Sequence, residues 1–327
     1  MLTRPLGSAG PSVSALALGC MGMSGVYGPS DESESIATIH AALDAGINLL
    51  DTGDFYGMGH NELLIGRALQ GRRDRALLSV KFGALRAPNG AFLGVDGRPA
   101  AVRNFLAYTL QRLGTDHVDI YRLCRYDPAV PVEDTVGAIA GMVEAGYVRY
   151  IGLSEVGAET VRRAQAVHPI CDLQIEYSLI SRSVERSILP ATRDLGVAIT
   201  AYGVLSRGLL TASPIGAPGD FRAHLPRFAG ANGQQNRSMV EALAAFAAEK
   251  GATPAQLAIA WVAAQGADIF PVIGARTRKQ LAESLGALDV HLTPDEMARL
   301  EQICDPSRVA GTRYDPAQMR MLDSEKE

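Results

Sequence analysis

The sequence predicts a closed (β/α)₈ barrel, and three observations carry that expectation. Short apolar runs occur eight times along the 327 residues, amphipathic stretches with recognisable helix ends lie between them, and most connections are short. The apolar runs lack strict polar alternation, as strands buried on both faces do. An open doubly wound sheet would show the same alternation of strands and helices. Both architectures therefore stand on pattern alone, with eight units fitting the barrel better.

In chain order the expected strands are Ala15–Gly19, Ile47–Asp51, Ala76–Phe82, His117–Leu123, Val148–Ser154, Asp172–Tyr177, Val197–Tyr202 and Ile269–Ile273. Asp31, with Glu34 three residues on, can cap a helix over Ile36–Ala45 that Gly46 closes. Thr253-Pro254-Ala255-Gln256 supplies a capping hydroxyl, a first-turn proline and a Gln at N3. Thr293-Pro294-Asp295-Glu296 repeats the device before Met297–Ile303, and Thr277–Leu288 reads as a further helix. Gly146, Gly196, Gly251 and Gly266 stand where helices should stop. Gly83–Pro99 and Ser213–Asn236 are long loops rich in Gly, Pro and Asn that follow strands. On a barrel they would lie at the C-terminal face, where active sites are found. Phe221, Arg222, Arg227 and Phe228 in the second could form a lid or only a packed surface loop.

Composition narrows the functional classes. With 47% hydrophobic and 20% charged residues the chain can bury a large core. A length rule would allow two domains, but barrels reach this size as one and no linker divides the sequence, so 1–327 reads as a single domain. The net charge of −4, from 31 basic and 35 acidic residues without a basic run, gives no reason to expect nucleic acid. Met1–Gly10 has no apolar segment of signal-peptide type, and no stretch is apolar enough to span a membrane. Cys20, Cys124, Cys171 and Cys304 are far apart, which reads as free thiols in a reducing, cytoplasmic setting. The six histidines do not gather with acids at ligand spacing, so no metal site is expected. Nothing indicates an oligomer.

Three polar residues sit at the ends of buried strands. Asp51 ends Ile47-Asn48-Leu49-Leu50, Tyr56 follows five residues later, and Lys81 is embedded after Leu77-Leu78-Ser79-Val80. A buried ammonium needs a partner, and Asp51 on the neighbouring strand can provide it. An ammonium beside a phenol favours the phenolate, so Lys81 is expected to lower the Tyr56 pKa. Such a phenol can exchange a proton with a carbonyl oxygen. A buried Asp–Lys pair beside a packed Tyr is the structural alternative; the joint placement of all three favours chemistry.

Asn48-Leu49-Leu50-Asp51-Thr52-Gly53-Asp54-Phe55-Tyr56-Gly57, followed by Asn61-Glu62, resembles the first signature of the aldo-keto reductase superfamily. Lys81 with Gly83, Gly152-Leu153-Ser154-Glu155, Gln174-Ile175-Glu176-Tyr177-Ser178, Ala201-Tyr202-Gly203-Val204-Leu205-Ser206-Arg207-Gly208 and Pro271-Val272-Ile273-Gly274-Ala275-Arg276 are similar to its later motifs. The match runs from about Leu6 to Ile303 and looks closest to the bacterial and fungal branch with pyridoxal reductase-like enzymes. The resemblance implies reversible hydride transfer between NADPH/NADP⁺ and a small carbonyl or alcohol, with Tyr56 as proton donor, Lys81 tuning it and Asp51 holding Lys81.

One position departs from the family. In Asp119-Ile120-Tyr121-Arg122-Leu123-Cys124-Arg125-Tyr126-Asp127-Pro128, Cys124 stands where a His is usual. Three readings stay open: slower ordinary reduction, a site reshaped for a special substrate, or an NADP(H)-binding sensor with little turnover. The resemblance further implies cofactor contacts. It places Tyr202 under the nicotinamide, Ser154 and Gln174 at the carboxamide, and Gly203, Leu205 and Gly208 near the pyrophosphate. Gly22 and Met23 fall near the ribose, with Asp51, Ile273 and Gly274 also among the contacts. Arg276 falls at a 2′-phosphate, with a solvated surface arginine as the plainer reading. Gln280 and Glu283 match adenosine contacts, and Ser284 replaces the usual Asn there. Phe55, Phe82 and Tyr126 are expected to shape the substrate pocket.

Overall fold

The computed structural model describes residues 1–211, 213, 215 and 220–326. Eight parallel strands close into a barrel: β1 Ala17–Gly19, β2 Leu49–Gly53, β3 Leu77–Phe82, β4 Val118–Leu123, β5 Val148–Ser154, β6 Ile170–Glu176, β7 Ala198–Tyr202 and β8 Ile269–Gly274. They run round the barrel in sequence order, with β8 pairing β1. Every strand end lies within two residues of its expected position. An outer ring includes α1 Glu32–Asp44, α2 His60–Ala68, α3 Pro99–Leu113, α4 Val132–Glu144, α5 Ala158–Val167, α6 Ile188–Asp194, α7 Gly230–Lys250, α8 Pro254–Ala264, α9 Arg278–Leu285 and α10 Pro294–Ile303. The chain is thus a (β/α)₈ barrel. Among the described residues no helix is long and apolar enough to cross a membrane.

Local chemistry fixes the helix ends. Thr253 and Thr293 each form a full capping box, with Gln256 and Glu296 reaching back to the cap backbone. Asp31 caps α1 through Glu34 N at 2.7 Å, but the Glu34 carboxylate turns outward to Arg278 instead of completing a box. Gly46, Gly146, Gly196 and Gly251 adopt left-handed φ after their helices. Gly266 does not. A Cβ there would meet Asp268 Oδ1 at 2.2 Å and Arg193 Nη2 at 2.6 Å, so a larger residue would push apart the tips of that ion pair.

Three further expectations need correcting. Gly83–Pro99 is not an open loop, because Ala84–Arg86 pairs antiparallel with Phe92–Val95. Within Ser213–Asn236, a turn forms at Phe221–His224 and α7 already begins at Gly230, while 214 and 216–219 lie outside the described residues. The helix expected over Thr277–Leu288 ends at Leu285 and tightens into a 3₁₀ turn over Gly286–Asp289.

Strand alternation sorts side chains into two layers. Phe82 and Tyr121 point out toward the helices and stack at 4.2 Å. Lys81 and Arg122, paired in register, belong to the other layer. Arg122 forms a two-pronged ion pair with Asp172 at 2.8 and 3.0 Å, both side chains fully buried. Ser79 and Thr200 accept further bonds from its guanidinium, at 3.0 and 3.3 Å. A charge pair without water persists only when its hydrogen bonds are met, as most are here. The opposite end of the barrel is stoppered. Thr3–Pro5 and Ser12–Ser14 form a hairpin, Arg4 donates to Ile269 O at 3.2 Å, and Leu6 and Val13 are wholly buried in a cluster with Ala17, Leu49, Ile120 and Phe270. That leaves the C-terminal mouth for function.

Candidate active site

Register brings the first group together. Gly53 pairs with Lys81 across β2 and β3, and Lys81 Nζ donates to Asp51 Oδ1 at 2.6 Å. Asp51 Oδ2 accepts from Gln174 Nε2 at 2.7 Å and from Ser79 Oγ at 3.1 Å. Both partners of the ion pair are about 5% exposed. Burial pushes the Lys81 pKa down, and Asp51 opposes that shift.

A tight turn after β2 delivers Tyr56. Gly57, Met58 and Gly59 all have positive φ, and a Cβ on Gly59 would lie 2.9 Å from Arg112 Cδ. A left-handed methionine is a strained choice, held here by its surroundings. Buried Asn61 ties the turn down by bonding Thr52, Ser24 and the Cys20 carbonyl, and buried Glu62 binds Thr109 and Arg112. The Asn-Glu pair of the signature is therefore scaffolding. Phe55 packs edge-on against Tyr56 at 4.8 Å, and the Lys81 ammonium lies 5.1 Å from the Tyr56 ring centre.

The expected lowering of the Tyr56 pKa is not found. Burial, then the Asp51 carboxylate, raise this phenol well above its ordinary value, and the Arg125 guanidinium only partly opposes them. Burial is the main reason, since it disfavours the phenolate, and the Asp51 charge adds to it while also neutralising Lys81. Among the described residues no hydrogen bond joins Tyr56 to Lys81. Cys124, at the end of β4, donates its backbone N–H to Phe82 O at 2.8 Å. Burial pushes its thiol up to about 12, which keeps it protonated and removes it as a nucleophile.

Several expected contacts fall elsewhere. Phe82 is wholly buried between Tyr121 and Phe105 and lines no open pocket. Gln174 spends one amide hydrogen on Asp51, leaving its second N–H and its carbonyl to offer. The Met23 and Ile273 side chains and Ser284 are buried in the packed shell. Only backbone remains at the first two for an incoming group, and Ser284 is poorly placed for an adenine. Glu283 and Gln280 are exposed, and Gln280 Oε1 accepts from Arg276 N at 3.0 Å. Arg276 Nη1 donates to the carbonyls of Tyr27, Gly28 and Pro29, clamping that loop. Tyr126 is half-buried with Lys326 5.6 Å from its ring centre. Ser154 stands out because its hydroxyl is buried without any partner, as a binding donor awaiting a ligand would be. Open space above Gly274 leaves backbone accessible there, while Gly22 lies against the Tyr27 ring. Gly203 and Gly208 have left-handed φ, and a Cβ on either would crowd Glu176 or Ser213. Leu205 N–H lies in the same tight segment, which continues through left-handed Ser206 and Arg207.

Sequence reasoning missed a second group at the mouth. Tyr202 Oη donates to Glu155 Oε1 at 2.6 Å, and Glu155 itself has a left-handed φ of 53°. Arg313 grips Glu155 at 2.8 and 2.6 Å, and reaches Glu176 and Glu325 as well. Burial raises the Glu155 pKa, but Arg313 outweighs it and the carboxyl ends well below the usual range. Arg207 pairs with Glu176 at 2.8 Å and lies 4.5 Å from the Tyr314 ring centre. Tyr314 Oη meets Tyr202 Oη at 3.1 Å and accepts from Arg125 Nη2 at 3.3 Å. Strained backbone gathered at one mouth is itself a pointer to function.

Asp54 is a third surprise. Its carboxyl is buried, one oxygen has no partner and the other accepts a long 3.3 Å bond from Gly83 N. Burial first, then Glu62, raises its pKa to about 7. The folded state therefore binds a proton that the unfolded chain has lost above about pH 4, and stability falls as pH rises from there toward 7. Asp54→Asn should raise stability at pH 8 by roughly 2–4 kcal/mol and change little at pH 4. Equal melting temperatures for the two proteins at pH 8 would refute this.

A barrel with an ion pair, a protonated phenol and an orphan hydroxyl at its C-terminal mouth has the layout of a barrel enzyme. The model of the Aldo/keto reductase family matches residues 15–305. The chain belongs to the aldo/keto reductase family. Its solved relatives agree. A glycerol dehydrogenase, AKR11B4, from Gluconobacter oxydans is 28% identical, with TM-score 0.83 over 96% of this chain and 97% of that one. An aldo-keto reductase, AKR11C1, from Bacillus halodurans in its holo form is 26% identical, with TM-score 0.78 over 94% and 97%. The thermostable aldo-keto reductase Tm1743, in complex with the inhibitor epalrestat, is 28% identical, with TM-score 0.73 over 93% and 100%. The family places the chain among oxidoreductases that interconvert carbonyls and alcohols with a nicotinamide cofactor.

Proposed function

We propose that this protein, working as one barrel domain over 1–327, is an NADPH-dependent reductase of small aldehydes or ketones, able to run in reverse, with Tyr56 as proton donor. The observation that carries this reading is the buried phenol beside the Asp51–Lys81 pair at the mouth of the barrel. A phenol held above its ordinary pKa stays protonated at neutral pH and can give its proton only as negative charge develops on a carbonyl oxygen. Lys81 takes up part of that charge once the proton leaves, and Asp51, braced by Gln174 and Ser79, keeps Lys81 in place. Bound beside them, a reduced nicotinamide would supply the hydride. The orphan Ser154 hydroxyl and the Tyr202 ring fit its amide and its ring face. The tight backbone through Gly203, Leu205 and Gly208 suits a pyrophosphate. Cys124 adds no proton of use here, which leaves the acid step to Tyr56.

Arg276, ahead of α9, supports the choice of NADPH over NADH. Steady-state oxidation of each cofactor against a panel of aldehydes and ketones tests the reading. NADPH should be oxidised with at least one carbonyl, and Arg276→Ala should raise the KM for NADPH about tenfold with little change for NADH. No turnover across the panel sinks the enzymatic reading. An equal effect of Arg276→Ala on both cofactors sinks the phosphate assignment.

A further inference from the structure

Five buried or half-buried guanidiniums crowd the mouth, and four have carboxylate partners. Arg313 pairs with Glu155, Arg207 with Glu176, Arg227 with Glu176 and Arg222 with Asp220. Arg125 is the exception. Nη1 donates to the Cys124 carbonyl at 2.7 Å and Nη2 to Tyr314 Oη at 3.3 Å, and among the described residues it forms no ion pair. Setting aside the closed Arg222–Asp220 and Lys81–Asp51 pairs, four guanidiniums (Arg125, Arg207, Arg227, Arg313) face three carboxylates (Glu155, Glu176, Glu325). Arg125 is the guanidinium left without a carboxylate in contact, although Glu155 favours its charge from further off.

The position of that charge matters. Arg125 directly follows Cys124, two residues beyond the end of β4, the strand next to the one that carries Lys81. It is close enough to Tyr56 to act on the phenol, and together with Arg207 it outweighs burial and draws the Tyr314 phenol below its ordinary pKa. A guanidinium has five N–H donors in a planar fork, and only two of Arg125's are engaged. A half-buried guanidinium with no carboxylate in contact keeps donors free, and a ligand carboxylate matches its fork with two parallel bonds.

We propose that Arg125 anchors a carboxylate carried by the carbonyl substrate, so that the site favours oxo acids over neutral aldehydes and ketones. The inference rests on the carbonyl-reductase reading above and adds the class of substrate to it. Anchoring one end of the molecule at Arg125 holds its carbonyl toward Tyr56.

The test uses the full chain with NADPH and a series of ω-oxo carboxylates of increasing length, each beside its methyl ester. At the best length the acid should exceed the ester in kcat/KM by roughly 30-fold, mostly through KM. Arg125→Gln should bring that acid-to-ester ratio close to one, and Arg125→Lys, which keeps the charge but not the fork, should retain part of it. A wild-type ratio near one, a ratio that survives Arg125→Gln, or an Arg125→Gln effect that falls only on the KM for NADPH would overturn the proposal. Calorimetric binding of the saturated carboxylate of matching length separates the two readings. If no carbonyl turns over but this carboxylate binds and Arg125→Gln abolishes that binding, the reductase reading fails and the anion site stands. If the carboxylate binds both proteins equally, or neither, the anion site falls whatever the turnover.

Discussion

Tyr56→Phe is expected to lower kcat for carbonyl reduction by about 10²–10⁴-fold while leaving KM nearly unchanged. The substitution removes one oxygen atom and keeps the ring that packs edge-on against Phe55, so the fold and the pocket shape should survive. What it takes away is the one buried phenol beside the Asp51–Lys81 pair. A pH profile sharpens the test. Because burial holds the Tyr56 pKa above its ordinary value, the phenol is protonated from pH 6 to 9 and reduction by the wild type should be flat there. The reverse oxidation needs the deprotonated oxygen and should climb with pH across the same range. An ionisation near pH 7 that disappears in Tyr56→Phe would show that the phenol is tuned downward after all.

Arg313→Ala is expected to destabilise the protein by about 3–5 kcal/mol at pH 7. The variant leaves Glu155, wholly buried and in a left-handed backbone conformation, with the Tyr202 and Ser324 hydroxyls and the Glu176 backbone N–H, and no ion-pair partner, to hold its charge. The sign of the pH dependence follows from the depressed Glu155 pKa. Its contribution is present above the unfolded value near 4 and is lost as pH falls through the lower folded value. The deficit of the variant should therefore be full at pH 7 and shrink toward pH 3. Thermal unfolding at both pH values checks this, and a melting temperature within 1 °C of wild type at pH 7 would contradict it.

The architecture was legible in the sequence because burial on both faces leaves a plain mark: a run such as Ile269–Gly274 carries no polar side chain at all. Helix ends were legible where a cap is a local device, as at Thr253 and Thr293. Asp51 and Lys81 could be paired because charged residues inside apolar strands demand partners. The same rule, applied to Arg122 and Asp172, would have found the ion pair beneath them. Other features depend on tertiary placement. Nothing local in Gly311-Thr312-Arg313-Tyr314 announces that it folds back over β5, β6 and β7. Phe82 looked like a pocket residue because it follows Lys81, yet alternation turns adjacent side chains to opposite faces. The Tyr56 pKa is not legible from the neighbouring Lys81, because the depth at which the phenol is buried, and then the Asp51 charge, set its direction.

The hairpin that plugs the base turns the barrel axis into a cul-de-sac. Arg4, Leu6 and Val13 seal one end, and the file of Arg122, Asp172, Ser79 and Thr200 fills the passage with polar groups already bonded to one another. On the proposed mechanism, with the base covered by the hairpin, each proton surrendered by Tyr56 is replenished through the doorway that admits the reactant. Reprotonation then waits on the vacating of that doorway, which makes the order of departures as important to the pace of the cycle as the transfer itself.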